Sequence, residues 1–249
     1  MPPTDSPEYL DTPEGRRLAY HRTVGTGPGV VFLGGFASDM TGTKAQHLQA
    51  WAAAEGRGFL RFDYSGHGAS SGRFEDGCIG DWAADARAAI TALTDGPQVL
   101  VGSSMGGWIS LLIARDMPQR LAGLVTIAAA PDFTDGMWDG FTDEQRAEVR
   151  AAGQVALPSD YGAPLPVTLR MIEEGRANRV LDRPLPLPFP VRFLQGTADV
   201  EVSVDTALRL LSHADGPDLR LTLVKGAEHR FSAPECLALV EAAIGEVTG

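Results

Sequence analysis

The segment Val99-Leu100-Val101-Gly102-Ser103-Ser104-Met105-Gly106-Gly107-Trp108 constrains this chain more than any other. It passes from a β-branched apolar run, through a serine with glycine at minus two and plus two, into residues of helical spacing. A strand that becomes a helix this abruptly must turn on one strained residue, and small flanking residues let the backbones approach. Such a turn leaves the Ser104 hydroxyl standing at a helix N-terminus. The same Gly-x-Ser-x-Gly pattern recurs at Gly68-Ala69-Ser70-Ser71-Gly72 and serves as an internal control. No strand signal directly precedes that copy, and only Arg73-Phe74-Glu75-Asp76-Gly77 follows it. Context selects Ser104 as the candidate nucleophile, reads Ser70 as a loop serine, and excludes Ser103 by spacing.

Strand and helix signals alternate around this turn, which predicts an α/β fold with a mostly parallel central sheet flanked by helices. Strands are expected at Tyr9–Asp11, Arg16–Val24, Val30–Leu33, Phe59–Tyr64, Gln98–Val101, Leu121–Ala128, Val191–Gln195 and Leu219–Val224. Helices are expected at Thr43–Glu55, Asp81–Leu93, Met105–Arg115, Val204–His213 and Pro234–Glu246. The alternation breaks between Pro131 and Pro190, which is proline-rich and shows no convincing strand. Within it Thr142-Asp143-Glu144-Gln145 forms a capping box opening a helix to about Ala152, and Val167–Arg176 has helical spacing. The expected division is therefore a core of residues 1–130 and 190–249, with residues 131–189 as a small cap insertion.

The chain has 249 residues, 44% of them hydrophobic, enough for a full core. No window approaches 18 continuous apolar residues, so no transmembrane segment is expected. Met1–Tyr9 lacks a basic region followed by an apolar one, and no Arg-rich, acid-poor transit segment is evident. On that reading the location is cytoplasmic, and Cys78 and Cys236 are reduced thiols. The net charge of −11 disfavours nucleic acid as a partner.

A serine is unreactive near neutral pH without a base to take its proton. Five histidines are available: His21, His47, His67, His213 and His229. The strand-turn-helix arrangement carries the chain order serine, acid, histidine, which leaves His213 and His229. His213 ends a helix, where interaction with the helix dipole accounts for it. His229 follows the last strand after Lys225-Gly226-Ala227-Glu228, at the carboxyl edge of the sheet, and is the candidate base. The acid that orients it is Asp199, just past Phe193-Leu194-Gln195-Gly196. Asp132, past the strand ending at Ala128, is its rival. The tetrahedral oxyanion needs two fixed donors. The Met105 N–H supplies one, and the loop Gly34-Gly35-Phe36 supplies the other through the Phe36 N–H. Trp138 and Phe141 open the insertion and either line an acyl pocket or anchor the insertion to the sheet. Leu157, Tyr161 and Met171 add apolar surface for an acyl chain.

Together these residues resemble the α/β-hydrolase superfamily over nearly the whole chain. Gly34–Ala45, Arg61-Phe62-Asp63-Tyr64-Ser65-Gly66, Val101–Trp108 and Glu228-His229-Arg230 are more narrowly similar to the mitochondrial palmitoyl-protein thioesterases that also cleave acyl glucuronides. The resemblance places Ser104, Asp199 and His229 on that family's nucleophile, acid and base. It implies hydrolysis of carboxylic esters or acyl thioesters through an acyl-enzyme, on a small-molecule or acylated-protein substrate, with no metal or organic cofactor. Other reactions share this chemistry: carbon–carbon bond hydrolysis, perhydrolysis and acyl transfer. A non-catalytic binding module is a further alternative, set against the presence of all three residues.

Overall fold

Apolar runs without alternation become strands covered on both faces, as parallel sheets require. The computed structural model describes residues 6–158 and 164–248, so Tyr161 lies outside the described residues. Its main strands are Glu8–Asp11 (β1), Arg17–Thr23 (β2), Thr26–Leu33 (β3), Arg57–Phe62 (β4), Gln98–Ser103 (β5), Leu121–Ile127 (β6), Val191–Gly196 (β7) and Leu219–Val224 (β8). They form one eight-stranded sheet in the order β1-β2-β4-β3-β5-β6-β7-β8. β2 runs antiparallel to β1 and β4, and every other pairing is parallel. All six residues of β5 and of β7 are buried, whereas the edge strand β8 is partly exposed along its length.

Successive side chains of the central strands enter opposite cores, the period of two that a pleated strand imposes. Val31, Leu33 and Leu100 enter the core shared with the helices Ile79–Leu93 (α2) and Met105–Asp116 (α3), and Val204–His213 (α7) closes the same core over β7 and β8. Val30, Phe32, Val99 and Val101 meet Thr43–Ala54 (α1) and Pro234–Thr248 (α8). Cys78 and Cys236 are both free and buried. No helix among the described residues is long and apolar enough to cross a membrane.

The segment between β6 and β7 differs most from expectation. Phe133–Gly140 is a helix (α4) where none was anticipated, and Asp143–Ala152 (α5) begins with the capping box of Thr142 and Gln145. Gln154–Leu157 and Leu165–Thr168 pair as an antiparallel hairpin, correcting the view that this stretch holds no strand. Val167 belongs to that hairpin, and the next helix, Leu169–Ala177 (α6), starts later with Thr168 as its cap. Proline is tolerated in the hairpin because Leu165–Thr168 has only one partner strand.

Asp132 ties this segment to the sheet. It occupies the left-handed region at φ 56°, and its carboxylate accepts the N–H groups of Val180 at 2.9 Å and Leu181 at 3.0 Å. Burial raises its carboxyl above the ordinary range even against those two bonds. Removing the carboxylate orphans two backbone donors. Asp132→Ala is expected to lower the unfolding free energy by about 2 kcal/mol or more, measured by urea denaturation.

Candidate active site

The turn at Ser104 is made by backbone contact. A Cβ at residue 106 would lie 2.0 Å from the Leu33 carbonyl oxygen, and one at residue 102 would lie 2.4 Å from the Gly106 oxygen. Only glycine at both positions lets β3, β5 and α3 converge. Ser104 between them takes φ 54° and ψ −117°, a conformation few L-residues adopt, which lifts its side chain out of the sheet. The copy centred on Ser70 shows the contrast. The Ser70 hydroxyl accepts the Ala19 N–H at 2.8 Å and donates to the Asp63 carbonyl at 2.7 Å, so it pegs a loop.

Three loops at the carboxyl edge of the sheet meet at this turn. Ser104 follows β5, Asp199 follows β7 and His229 follows β8. His229 Nε2 lies 3.1 Å from Ser104 Oγ, and His229 Nδ1 lies 2.8 Å from Asp199 Oδ2. The Asp199 side chain is fully buried. Gln195 Nε2 donates to its Oδ2 at 3.0 Å, and the Glu201 and Val202 N–H groups donate to Oδ1 at 2.9 and 2.8 Å. Burial acts against the charge, but the bonds from His229 and these amides outweigh it and hold the carboxyl below its usual range. Asp199 is thus a fixed anion aimed at Nδ1, which assigns the proton there and leaves Nε2 to accept from Ser104.

The remaining sequence candidates fall as follows. Met105 is the first residue of α3, so its N–H has no acceptor within the helix. Phe36 lies on the loop after β3, where a Cβ on Gly35 would come 3.5 Å from Ser104 Cβ. Its ring packs edge-on against Phe74 and Phe133, with centroids 4.9 and 5.6 Å away. Asp63 pins the far end of that loop by accepting the Met40 N–H at 2.6 Å. His213 reaches the Val180 and Arg183 carbonyls, and His67 is buried among Tyr64, Phe74 and Trp82. Asp132, bound to backbone as described, does not meet the histidine.

Two neighbouring cavities of about 510 and 540 Å³, both lined by Phe36, Ser104, Met137 and Glu201, open on Ser104. Phe133, Met137, Leu157, Leu165 and Val167 give them apolar walls. Trp138 and Phe141 line neither. Phe141 is buried, and Trp138 packs against it with the Arg150 and Arg176 guanidinium groups each 5.1 Å from its ring. Both residues anchor the segment, and Met171 is buried with them. Sequence reasoning missed Gln195, Glu201 and Lys44. Gln195 was the traceable one, since a polar side chain inside a fully buried strand must have a partner.

Fold and geometry together define a hydrolase of the α/β class, and comparison with known proteins agrees. The chain belongs to the α/β-hydrolase family: the family model described as alpha/beta hydrolase fold matches residues 28–175. It is 34% identical to the rat mitochondrial palmitoyl-protein thioesterase ABHD10 over 225 residues, 90% of this chain and 76% of that protein. A solved structure of a putative hydrolase from Agrobacterium vitis S4 superposes with TM-score 0.93 at 38% identity, covering 98% of each chain. The mouse alpha/beta hydrolase domain-containing protein 10 gives 0.89 at 32% identity, covering 97% of each. The chain is thus an enzyme that hydrolyses ester or thioester bonds. The cytoplasmic location expected above does not stand, because the rat, bovine and human ABHD10 relatives, each matched over 90% of this chain, are mitochondrial proteins.

Lys44 on α1 lines the cavity of about 510 Å³ and donates to the Arg230 carbonyl. Burial and the charge of Arg230 push its amine down to about 8, with Glu201 acting the other way. A depressed amine lowers stability wherever it is forced to carry its charge in the fold, that is, below pH 8. The penalty fades as pH rises from 8 towards 10.5. Lys44→Met is expected to raise Tm by a few degrees at pH 7, with the gain shrinking across that window in paired melts of variant and parent.

Proposed function

We propose that this enzyme is a serine hydrolase that forms an acyl-enzyme on Ser104, with His229 as general base and acid and Asp199 as the group that orients it. The single observation that carries this reading is the continuous hydrogen-bonded chain from Ser104 through His229 to Asp199, built from three loops far apart in sequence. Ser104 Oγ attacks the acyl carbon as its proton passes to Nε2, and the buried Asp199 stabilises the imidazolium that results. The Met105 and Phe36 N–H groups receive the oxyanion. Departure of the alcohol or thiol leaves the acyl group on Ser104. Water activated by the same histidine then releases the carboxylic acid.

Residues 131–189 act as a cap on a core of residues 1–130 and 190–249. Met137, Leu157, Leu165 and Val167 from the cap give the cavity at Ser104 an apolar wall suited to an acyl chain. The rat relative is a palmitoyl-protein thioesterase, which supports a lipid-acylated protein as substrate; a small-molecule ester presents the same acyl chemistry to the site. Each methylene that enters such a wall contributes about 0.8 kcal/mol, close to fourfold in kcat/KM.

Three outcomes follow. Ser104→Ala is expected to lower kcat by several orders of magnitude and to abolish labelling by a fluorophosphonate probe, with circular dichroism unchanged. Labelling that maps to Ser70 or Ser103 overturns the assignment. Asp199→Asn is expected to reduce kcat by up to about 10⁴-fold through the wrong histidine tautomer, while Asp132→Asn leaves it nearly intact. Across acyl thioesters from acetyl to palmitoyl, kcat/KM is expected to rise until the cavity is full. A steady fall from acetyl onward rejects the acyl-chain reading.

A further inference from the structure

Asp199 is not the only carboxylate on His229. Glu201, two residues further along the same loop, places Oε2 3.3 Å from His229 Nε2. That nitrogen is also the one facing Ser104 Oγ at 3.1 Å. The loop is held by the buried Asp199, which accepts the Glu201 N–H, so the Glu201 backbone cannot drift from the ring. The Glu201 side chain is about half exposed, at 49%, and lines both cavities. Any leaving group that approaches Nε2 meets this carboxylate.

Resting on the acyl-enzyme reading above, we propose that Glu201 is a positioning residue that holds the proton on His229 Nε2 and so biases the enzyme towards thioesters over oxyesters.

The chemistry divides at the collapse of the first tetrahedral intermediate. On attack, the Oγ–C bond forms, the Ser104 proton moves to Nε2, and the carbonyl π pair becomes the oxyanion. The imidazolium then carries one N–H towards Asp199 and one at Nε2. A carboxylate beside Nε2 favours this ion, whatever the leaving group. On collapse, the carbon–oxygen or carbon–sulfur bond breaks and its electron pair leaves with the heteroatom. An alkoxide is far too basic to depart without a proton and must take the one on Nε2. A thiolate, whose conjugate acid has a pKa near about 8.5, departs without it. Glu201 therefore competes with a departing oxygen as proton acceptor and leaves a departing sulfur unaffected.

Other charges face this spot. Asp199 lies on the Nδ1 side, Lys44 of α1 feels the charge of Glu201 from the cavity wall, and Arg230 follows the histidine in the chain. Asp39, on the opposite wall, is engaged with the Thr41 N–H and hydroxyl of its own loop. Among the described residues, the carboxylates in contact with the ring are those of Asp199 and Glu201, and Asp199 touches the other nitrogen.

The test is Glu201→Gln, which keeps shape and removes charge, assayed on a pair that differs by one atom: octanoyl N-acetylcysteamine thioester and the matching N-acetylethanolamine ester. The ratio of kcat/KM, thioester over ester, is expected to fall about threefold, the size an exposed ion pair supports. The acidic limb of the thioester profile is expected to move to lower pH by about half a unit. Equal change in both substrates with an unmoved limb, or no change in either, overturns the proposal while leaving Ser104 in place. If Ser104→Ala retains activity on both substrates, the acyl-enzyme reading falls and this proposal with it.

Discussion

The backbone contact between the first turn of α3 and the end of β3 governs this molecule. With 2.0 Å separating a notional Cβ at Gly106 from the Leu33 carbonyl oxygen, no other residue type fits without moving a central strand. The contact sets where α3 begins, and that sets the strained backbone of Ser104. The Gly35–Phe36 loop lies beside the same turn, where a Cβ on Gly35 would come 3.5 Å from Ser104 Cβ. Strain of this kind costs on the order of 1–3 kcal/mol and persists only where the surroundings over-determine it. Here the surroundings are β5, buried along its whole length, with β3 and β6 paired to either side.

How much of this was legible depends on whether a residue's role is local or long-range. The sheet was legible because β5, β6 and β7 are short apolar runs bounded by turn residues, a pattern that has few other uses. Strand ends were less so. β3 starts at Thr26 because a backbone bulge pairs it with Arg57, and β4 stops at Phe62 because Asp63 turns inward to bind the Met40 amide. Ser104, Asp199 and His229 could be placed at one sheet edge from chain order alone, since each follows a strand that runs the same way.

The segment over the sheet was legible only where capping chemistry announced it, at Thr142 and Gln145. The helix Phe133–Gly140 contains two glycines and two aspartates and has little intrinsic preference for its form. It is held by Asp135, which takes the Arg179 guanidinium at 2.7 Å, and by Phe133, whose ring meets Phe36 and Trp108. For Trp138 the sequence left two roles open, lining an acyl pocket or anchoring the segment, because an aromatic side chain suits both. Two arginines from α5 and α6 claim its ring, a pairing invisible without the fold. Glu201 was equally hidden, since its meaning comes from a nitrogen 28 positions away in the chain.

The hydrogen bond between Ser104 and His229 joins residues 125 positions apart, across strands β6, β7 and β8. No local unit of the chain contains a working site. While a ribosome is still extending the polypeptide, Ser104, its strained turn and much of the segment after β6 can already be in place, yet His229 arrives only when β8 docks beside β7. A nascent or truncated chain that exposes Ser104 lacks the histidine that faces it. On the acyl-enzyme reading proposed above, the site is complete only once the last strand of the sheet has paired, and a covalent probe of Ser104 would count completed molecules.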